Sequence, residues 1–247
     1  GYMPNNDLPY SPVAKTRNLV VDSGSGKGLT LPSLTAAIEA AGIPMQSLYF
    51  DACLMNSIEY MFELKDVVDY VVASSFLVPG IGGSYDALIN LLAKCDGNIE
   101  SALAGYNKHC VNRWDEMIGK YQKESYFDMT VTRTSGLDAY GEKIRAFTDL
   151  LVEAYKSGDE ELCKKIDNAT ANVLKIQNSY PFYDLLIYAL TVTIADPERF
   201  ESAYNDMQKC YEELCQVSHQ TSAYMGAEGI TASVLLGWEG QYEYFEA

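Results

Sequence analysis

The chain predicts an α/β fold, a mostly parallel sheet with helices on both faces, followed by a helical C-terminal part. Three observations carry this reading. Through the first half, short apolar runs that stop abruptly alternate with segments of helical periodicity. Turn residues such as Gly42-Ile43-Pro44 punctuate the alternation. Beyond Gly136 the strand-like runs give way to long helical ones. Strand–helix–strand succession is the pattern of parallel strands whose crossovers cover both sheet faces.

Taken in order, Thr30 to Ala41 spaces its apolar residues as a helix, with Thr30 as cap and Pro32 in the first turn. Gly42-Ile43-Pro44 ends it, and a short buried strand over Ser47 to Asp51 follows. Asn56 to Lys65 returns as a helix, and valine-rich Asp69 to Ser74 reads as the next strand. Tyr85 to Ala93 and Ile99 to Tyr121 are predicted helices, and Phe127 to Thr134 alternates as a strand. Further helices are predicted over Leu137 to Lys156, Glu160 to Gln177, Phe182 to Ala195 and Pro197 to Ser218. Strands return at Gly229 to Leu236 and Gln241 to Phe245. The division expected is a core over residues 1–136 and a helical extension with returning strands over 137–247, packed as one compact unit.

Composition narrows the function. Eighteen basic against 34 acidic residues give a net charge of −16. Such a surface repels nucleic acid and anionic membranes and attracts cationic peptides at long range, though acidic residues also serve plain solubility. Hydrophobic content of 48% is that of an ordinary globular protein, and no apolar run approaches the roughly 20 residues of a membrane span. The six cysteines (Cys53, Cys95, Cys110, Cys163, Cys210 and Cys215) show neither a C-x-x-C pair nor a cysteine–histidine zinc spacing. No metal site is expected. Cys210 and Cys215 fall on different faces of one predicted helix.

The most informative stretch is Ser47-Leu48-Tyr49-Phe50-Asp51-Ala52-Cys53-Leu54-Met55, a strand stopping at an acid and a cysteine just before a helix. Ligands and reactive side chains collect at the carboxyl ends of strands in α/β proteins. A thiol near a helix start gains thiolate character from the helix's positive end. A lone cysteine in an apolar run also fits a small buried core residue.

Asp51 to Met55 (D-A-C-L-M), then Ile58-Glu59, Glu63-Leu64, Ala73-Ser74 and Pro79-Gly80, stand in the order seen in the clostripain family of cysteine peptidases, which the chain resembles. Tyr183-Asp184-Leu185 is similar to that family's Y-D-L segment. The resemblance spans nearly the whole chain and implies a caspase-like three-layer sandwich, with residues 1–136 as the catalytic core. It implies Cys53 as nucleophile, Asp51 as the acid receiving a basic side chain, and Ser74 and Ser75 as pocket wall. For Asp51, capping of nearby amides is the competing role. Strand periodicity would turn Asp51 and Cys53 to one side.

Relatives carry their general base, a histidine, in a glycine-rich turn, and Gly1-Tyr2 resembles the end of that turn. The expected partner is therefore an N-terminal segment carrying the catalytic histidine two or three residues before Gly1. His109 and His219, in helix-like stretches, read as surface or helix-end residues. Phe76-Leu77 replaces the acids many relatives carry after the serine, which predicts a broader pocket unless Asp86 substitutes through the Gly80 to Gly83 loop. Lys15 and Arg17, in a polar proline-bearing stretch, are candidate processing sites.

Two readings lead, ahead of a third, a thiol-bearing hydrolase of non-peptide amides. One is a cysteine endopeptidase acting on peptide or protein substrates after Arg or Lys, secreted or held at a bacterial cell envelope. The other is a caspase-like binding module without catalysis. Thiol chemistry requires no cofactor; the resemblance leaves calcium open, and no calcium-loop motif is visible.

Overall fold

The computed structural model describes residues 18–21, 24–76, 78–121, 128–171, 173, 175–177, 180–220 and 231–233. A short antiparallel ribbon, β1 (Asn18–Val21) with β2 (Gly28–Thr30), leads into helix α1 (Leu31–Ala41). The cap works as the sequence predicts: Thr30 Oγ1 accepts from the Ser33 amide at 3.3 Å. Gly42, in the left-handed region at φ 62°, turns the chain out of the helix.

Strand β3 (Met45–Tyr49) leads through a loop to helix α2 (Ile58–Leu64), and strand β4 (Val68–Ala73) lies parallel to β3 with Tyr49 opposite Val72. Helices α3 (Tyr85–Ala93) and α4 (Ile99–Tyr121) precede strand β5 (Asp128–Arg133). The C-terminal part contains α5 (Leu137–Lys156), α6 (Glu160–Thr170), β6 (Lys175–Gln177), β7 (Tyr180–Asp184), α7 (Leu185–Ala195), α8 (Pro197–Leu214), β8 (Cys215–Gln220) and β9 (Thr231–Ser233).

The central sheet runs β3-β4-β5-β8. Its two faces bury different cores. On one, Val71 and Ala73 meet Leu31 and Ile38 of α1, Met61 and Leu64 of α2, and Leu137 and Tyr140 of α5. On the other, Val72, Met129 and Val131 meet Leu103, Tyr106, Cys110 and Trp114 of α4. Alternation along β4 thus divides its valines between two layers of helix. The first core also takes in α7 and α8, so it crosses position 136 without a break.

Several expectations are corrected. The sheet is mixed rather than mostly parallel: β3–β4 is parallel, whereas β4–β5 and β5–β8 are antiparallel. Strand direction does not alter the apolar pattern along a strand, so periodicity could not distinguish them. The helix expected to reach Ser218 ends at Leu214, because Cys215–Gln220 pairs with the otherwise open edge of buried β5. Cys215 therefore opens a strand, and His219 lies opposite Met129 in the sheet rather than on a helix. The helix expected over Glu160 to Gln177 stops at Thr170, and that expected from Phe182 starts at Leu185. The residues released build a second, antiparallel sheet, β6-β7-β9. Asp184 caps α7 by accepting from the Ile187 amide at 3.0 Å, which fixes that start. The strand expected at Gln241 to Phe245 lies outside the described residues.

Cys53, Cys95, Cys110, Cys163 and Cys210 are free thiols. Among the described residues no helix is long and apolar enough to cross a membrane, and no group of three or more His, Cys, Asp or Glu could hold a metal ion.

Candidate active site

Strand β3 makes its last parallel contact where the Phe50 amide donates to Val72 O at 2.9 Å, and there the chain leaves the sheet. Residues 50–57 form a loop that hangs on the end of β4. The Leu54 amide donates to Phe76 O, and the Met55 and Asn56 amides both donate to Ser74 O, at 2.9, 2.9 and 3.0 Å. Leu54 takes a left-handed φ of 61°, a conformation that costs a side-chain-bearing residue about 1–2 kcal/mol. The backbone thus reverses sharply at the residue after the cysteine.

Cys53 is half-buried, and its Sγ accepts from the Val78 amide at 3.2 Å while its S–H points to Val78 O at 4.0 Å. Two sequence arguments change here. Helix α2 begins only at Ile58 and is seven residues long, so Cys53 lies outside the first turn, where a helix end acts. Strand β3 ends at Tyr49, so strand alternation does not relate Asp51 to Cys53. The loop and its bonds to Phe76, Ser74 and Val78 place the sulfur instead.

The turn that holds this loop is itself held from below. Asp128, at the start of β5, accepts from Ser74 Oγ at 2.7 Å, from the Ser75 amide at 2.9 and 3.1 Å, and from the Phe76 amide at 3.2 Å. Its carboxyl is buried, which pushes its pKa up, while the donors from Ser74, Ser75 and Phe76 pull it back. Ser74 and Ser75 are each 1% exposed, and Ser75 Oγ accepts from Asn56 Nδ2 at 3.0 Å. Their side chains are thus committed to Asp128 and Asn56, and any wall they lend a pocket is made of backbone. Phe76 is buried too, and Leu77 lies outside the described residues. Sequence reasoning missed Asp128; an acid opening an otherwise apolar buried strand was the available signal.

Asp51 faces the Gly80–Tyr85 stretch. Its Oδ2 accepts from the Gly83 amide at 3.1 Å and from the Tyr85 hydroxyl, while Oδ1 is buried with no hydrogen-bond partner among the described residues. Gly82 sits at φ 62°, and a Cβ there would strike the Asp51 carboxylate. The loop does fold back as considered, but Asp86 is exposed and accepts from Ser84 Oγ at 2.9 Å, which lowers its pKa. The same Ser84 hydroxyl lies 3.2 Å from His109 Nε2. The serine stands between acid and imidazole, so this trio lacks the relay order in which the histidine bridges the other two. His219 is on the strand at the far edge of the sheet from β3, about 14 Å away at ordinary strand spacing. Among the described residues, both hydrogen bonds of Cys53 Sγ are to Val78. Lys15 and Arg17 lie outside the described residues.

The structure thus places a half-buried thiol on a loop beyond a strand end, with an acid two residues before it. The model of the clostripain family, peptidase family C11, matches residues 3–239. The chain belongs to the clostripain family. Among solved structures, a clostripain from Bacteroides thetaiotaomicron bound to the peptide inhibitor BTN-VLTK-AOMK is 17% identical, with 87% of this chain and 89% of that one covered and a TM-score of 0.63. A secreted C11 cysteine protease from the same organism, bound to an irreversible peptide inhibitor, is 19% identical over 100% of this chain and 66% of its own, with a TM-score of 0.67. An inactive zymogen of a C11 protease from Parabacteroides distasonis is 14% identical over 86% of this chain and 58% of its own, with a TM-score of 0.61. No curated protein matches. At such identities the likeness is one of fold, and the clostripain match implies the caspase-like architecture for this mixed sheet.

Proposed function

We propose that this clostripain-family chain is a cysteine endopeptidase that cuts after lysine or arginine, with Cys53 as nucleophile. The observation that supports it best is the placement of Cys53 Sγ on a backbone-anchored loop at the end of β3, inside a family match that spans the chain. Sγ attacks the carbonyl carbon of the scissile bond. A histidine takes the thiol proton, the C–S bond forms, the C–N bond breaks, and the leaving amine takes that proton from the histidine. Water then cleaves the thioester and regenerates the thiol. The histidine comes from a segment upstream of Gly1, since His109 bonds to Ser84 and His219 sits at the opposite sheet edge. Amides near Cys53 hold the oxyanion.

Basic specificity is assigned to Asp51, the acid two residues before Cys53, on the family pattern D-A-C-L-M. The net charge of −16 would speed encounter with cationic peptides. Export from a bacterial cell agrees with the secreted relative. The test is cleavage by full-length protein of coumarin peptides ending in Lys, Arg, Leu or Asp. Basic substrates are expected to be cut fastest, and Cys53→Ala to abolish every turnover. Equal rates on all four would remove the role given to Asp51. A folded wild type that binds peptides without cutting them would leave the binding-module reading.

A further inference from the structure

We infer that residues 78–85 form a strap that holds the Cys53 thiol in place, with Asp51 and Trp114 as the positioning residues that anchor it. This rests on the reading of Cys53 as nucleophile and needs no contact between Asp51 and a substrate.

The strap returns to the D-A-C stretch at both of its ends. At its start, the Val78 amide donates to Cys53 Sγ at 3.2 Å. At its far end, the Gly83 amide donates to Asp51 Oδ2 at 3.1 Å, and the Tyr85 hydroxyl donates to the same oxygen. Among the described residues, every hydrogen bond of the Asp51 carboxylate runs to the strap, and Oδ1 is buried without one. A carboxylate accepting from a backbone amide makes one of the stronger hydrogen bonds, so Asp51 is a firm peg for this segment. Asp51 and Cys53 are two residues apart, so the peg and the sulfur belong to one short loop.

The strap is also fixed between its ends. The Gly82 amide donates to Pro79 O at 2.8 Å and closes a turn. Gly82 O accepts from Trp114 Nε1 at 3.2 Å, and Trp114 is fully buried on α4. A Cβ on Gly82 would strike the Asp51 carboxylate, and one on Gly83 would strike the hydroxyls of Tyr49 and Tyr106. Two glycines thus let the backbone press against both the peg and the core. A segment held at its start, middle and end has little freedom, and its first residue is the one that touches the sulfur. Reacting atoms tolerate little error in place: a shift of about 1 Å can cost about a hundredfold in rate.

The experiment compares full-length wild type with Asp51→Ala, Asp51→Asn and Trp114→Phe. Two quantities are read: kcat on the coumarin peptide that wild type cuts best, and the rate at which iodoacetamide alkylates Cys53, followed by mass spectrometry. Asp51→Ala and Trp114→Phe are each expected to lower kcat about tenfold. Both are expected to speed alkylation about fivefold, the effect of one hydrogen bond, because a slack strap uncovers a half-buried sulfur. Asparagine keeps an acceptor oxygen for both donors, so Asp51→Asn is expected to restore the slow alkylation of wild type. Fully buried Cys110 monitors the fold and should stay unlabelled. If Asp51→Ala or Trp114→Phe labels Cys110, Tyr85→Phe decides, since that side chain is exposed; the same two changes, each about twofold, are then expected. Unchanged alkylation of Cys53 in folded variants overturns the strap, and so does equal alkylation in Asp51→Ala and Asp51→Asn. A rise in KM confined to basic substrates, with alkylation unchanged, overturns it and spares the specificity role of Asp51. Turnover that survives Cys53→Ala overturns the nucleophile reading instead, while the alkylation rates still judge the strap.

Discussion

Replacing Asp128 by alanine removes a carboxylate that serves Ser74 Oγ, the Ser75 amide and the Phe76 amide at once. Two of the three donors have a partial alternative. Ser74 Oγ can turn to Phe76 O at 3.3 Å, and the Phe76 amide already reaches Ser74 Oγ at 3.1 Å. The Ser75 amide is the donor most dependent on the acid. One to two buried donors left short, at about 1–3 kcal/mol each, give a loss of about 1–6 kcal/mol. That is a large part of the roughly 5–15 kcal/mol by which a domain is stable. Desolvation of the acid itself offsets some of the gain it provides, which favours the lower half of this range. Asp128→Asn should cost less, about 1–2 kcal/mol, because Oδ1 carries most of the donors, while the Oδ2 contact to the Ser75 amide becomes donor against donor. The assay is urea unfolding followed by circular dichroism and by the emission of tryptophan, of which Trp114 is fully buried. The alanine variant should unfold at clearly lower urea with an unchanged slope. A loss below about 1 kcal/mol in Asp128→Ala would refute the clamp, because buried donors cannot be orphaned that cheaply.

Three further outcomes are expected. Burial raises the Asp128 carboxyl, so as pH falls the folded state takes up that proton before the unfolded chain does. Its contribution to stability is therefore greatest below the unfolded value of about 3.9 and is lost as pH rises through the folded value; the difference in pH dependence between wild type and Asp128→Asn unfolding curves reads it. Gly83→Ala would push a methyl into the hydroxyls of Tyr49 of β3 and Tyr106 of α4, and should cost about 1–3 kcal/mol in thermal or urea unfolding. Chelation with EDTA should leave peptidase turnover unchanged, since thiol chemistry needs no metal; loss of rate restored by calcium would show a structural ion.

Local signals made much of the fold legible. Thr30 and Gly42 marked both ends of α1, and the bounds read for Tyr85–Ala93 and Leu137–Lys156 are those of α3 and α5. The D-A-C-L-M pattern located the strand-end loop. What escaped depends on partners distant in sequence. The antiparallel course of β5 is set by pairing with β4, and β8 exists because β5 offers an edge to Cys215–Gln220, a stretch without decisive periodicity of its own. The aromatic run Tyr180–Asp184 contains a proline and pairs with β6 and β9, which overrides the helical reading of its second half. At the site the same rule holds. Asp51 and Cys53 were visible as residue types, but their settings come from Tyr85, Gly83 and Val78. The serines pointed to a pocket, and the acid that occupies them lies more than fifty residues later.

The Cys53 loop is suspended from Ser74 O and Phe76 O, atoms every amino acid possesses. Exchanging the side chain at position 76 for another apolar group of similar volume would therefore leave that suspension in place. A lineage could therefore vary side chains along this turn without rebuilding the mount of the Cys53 sulfur.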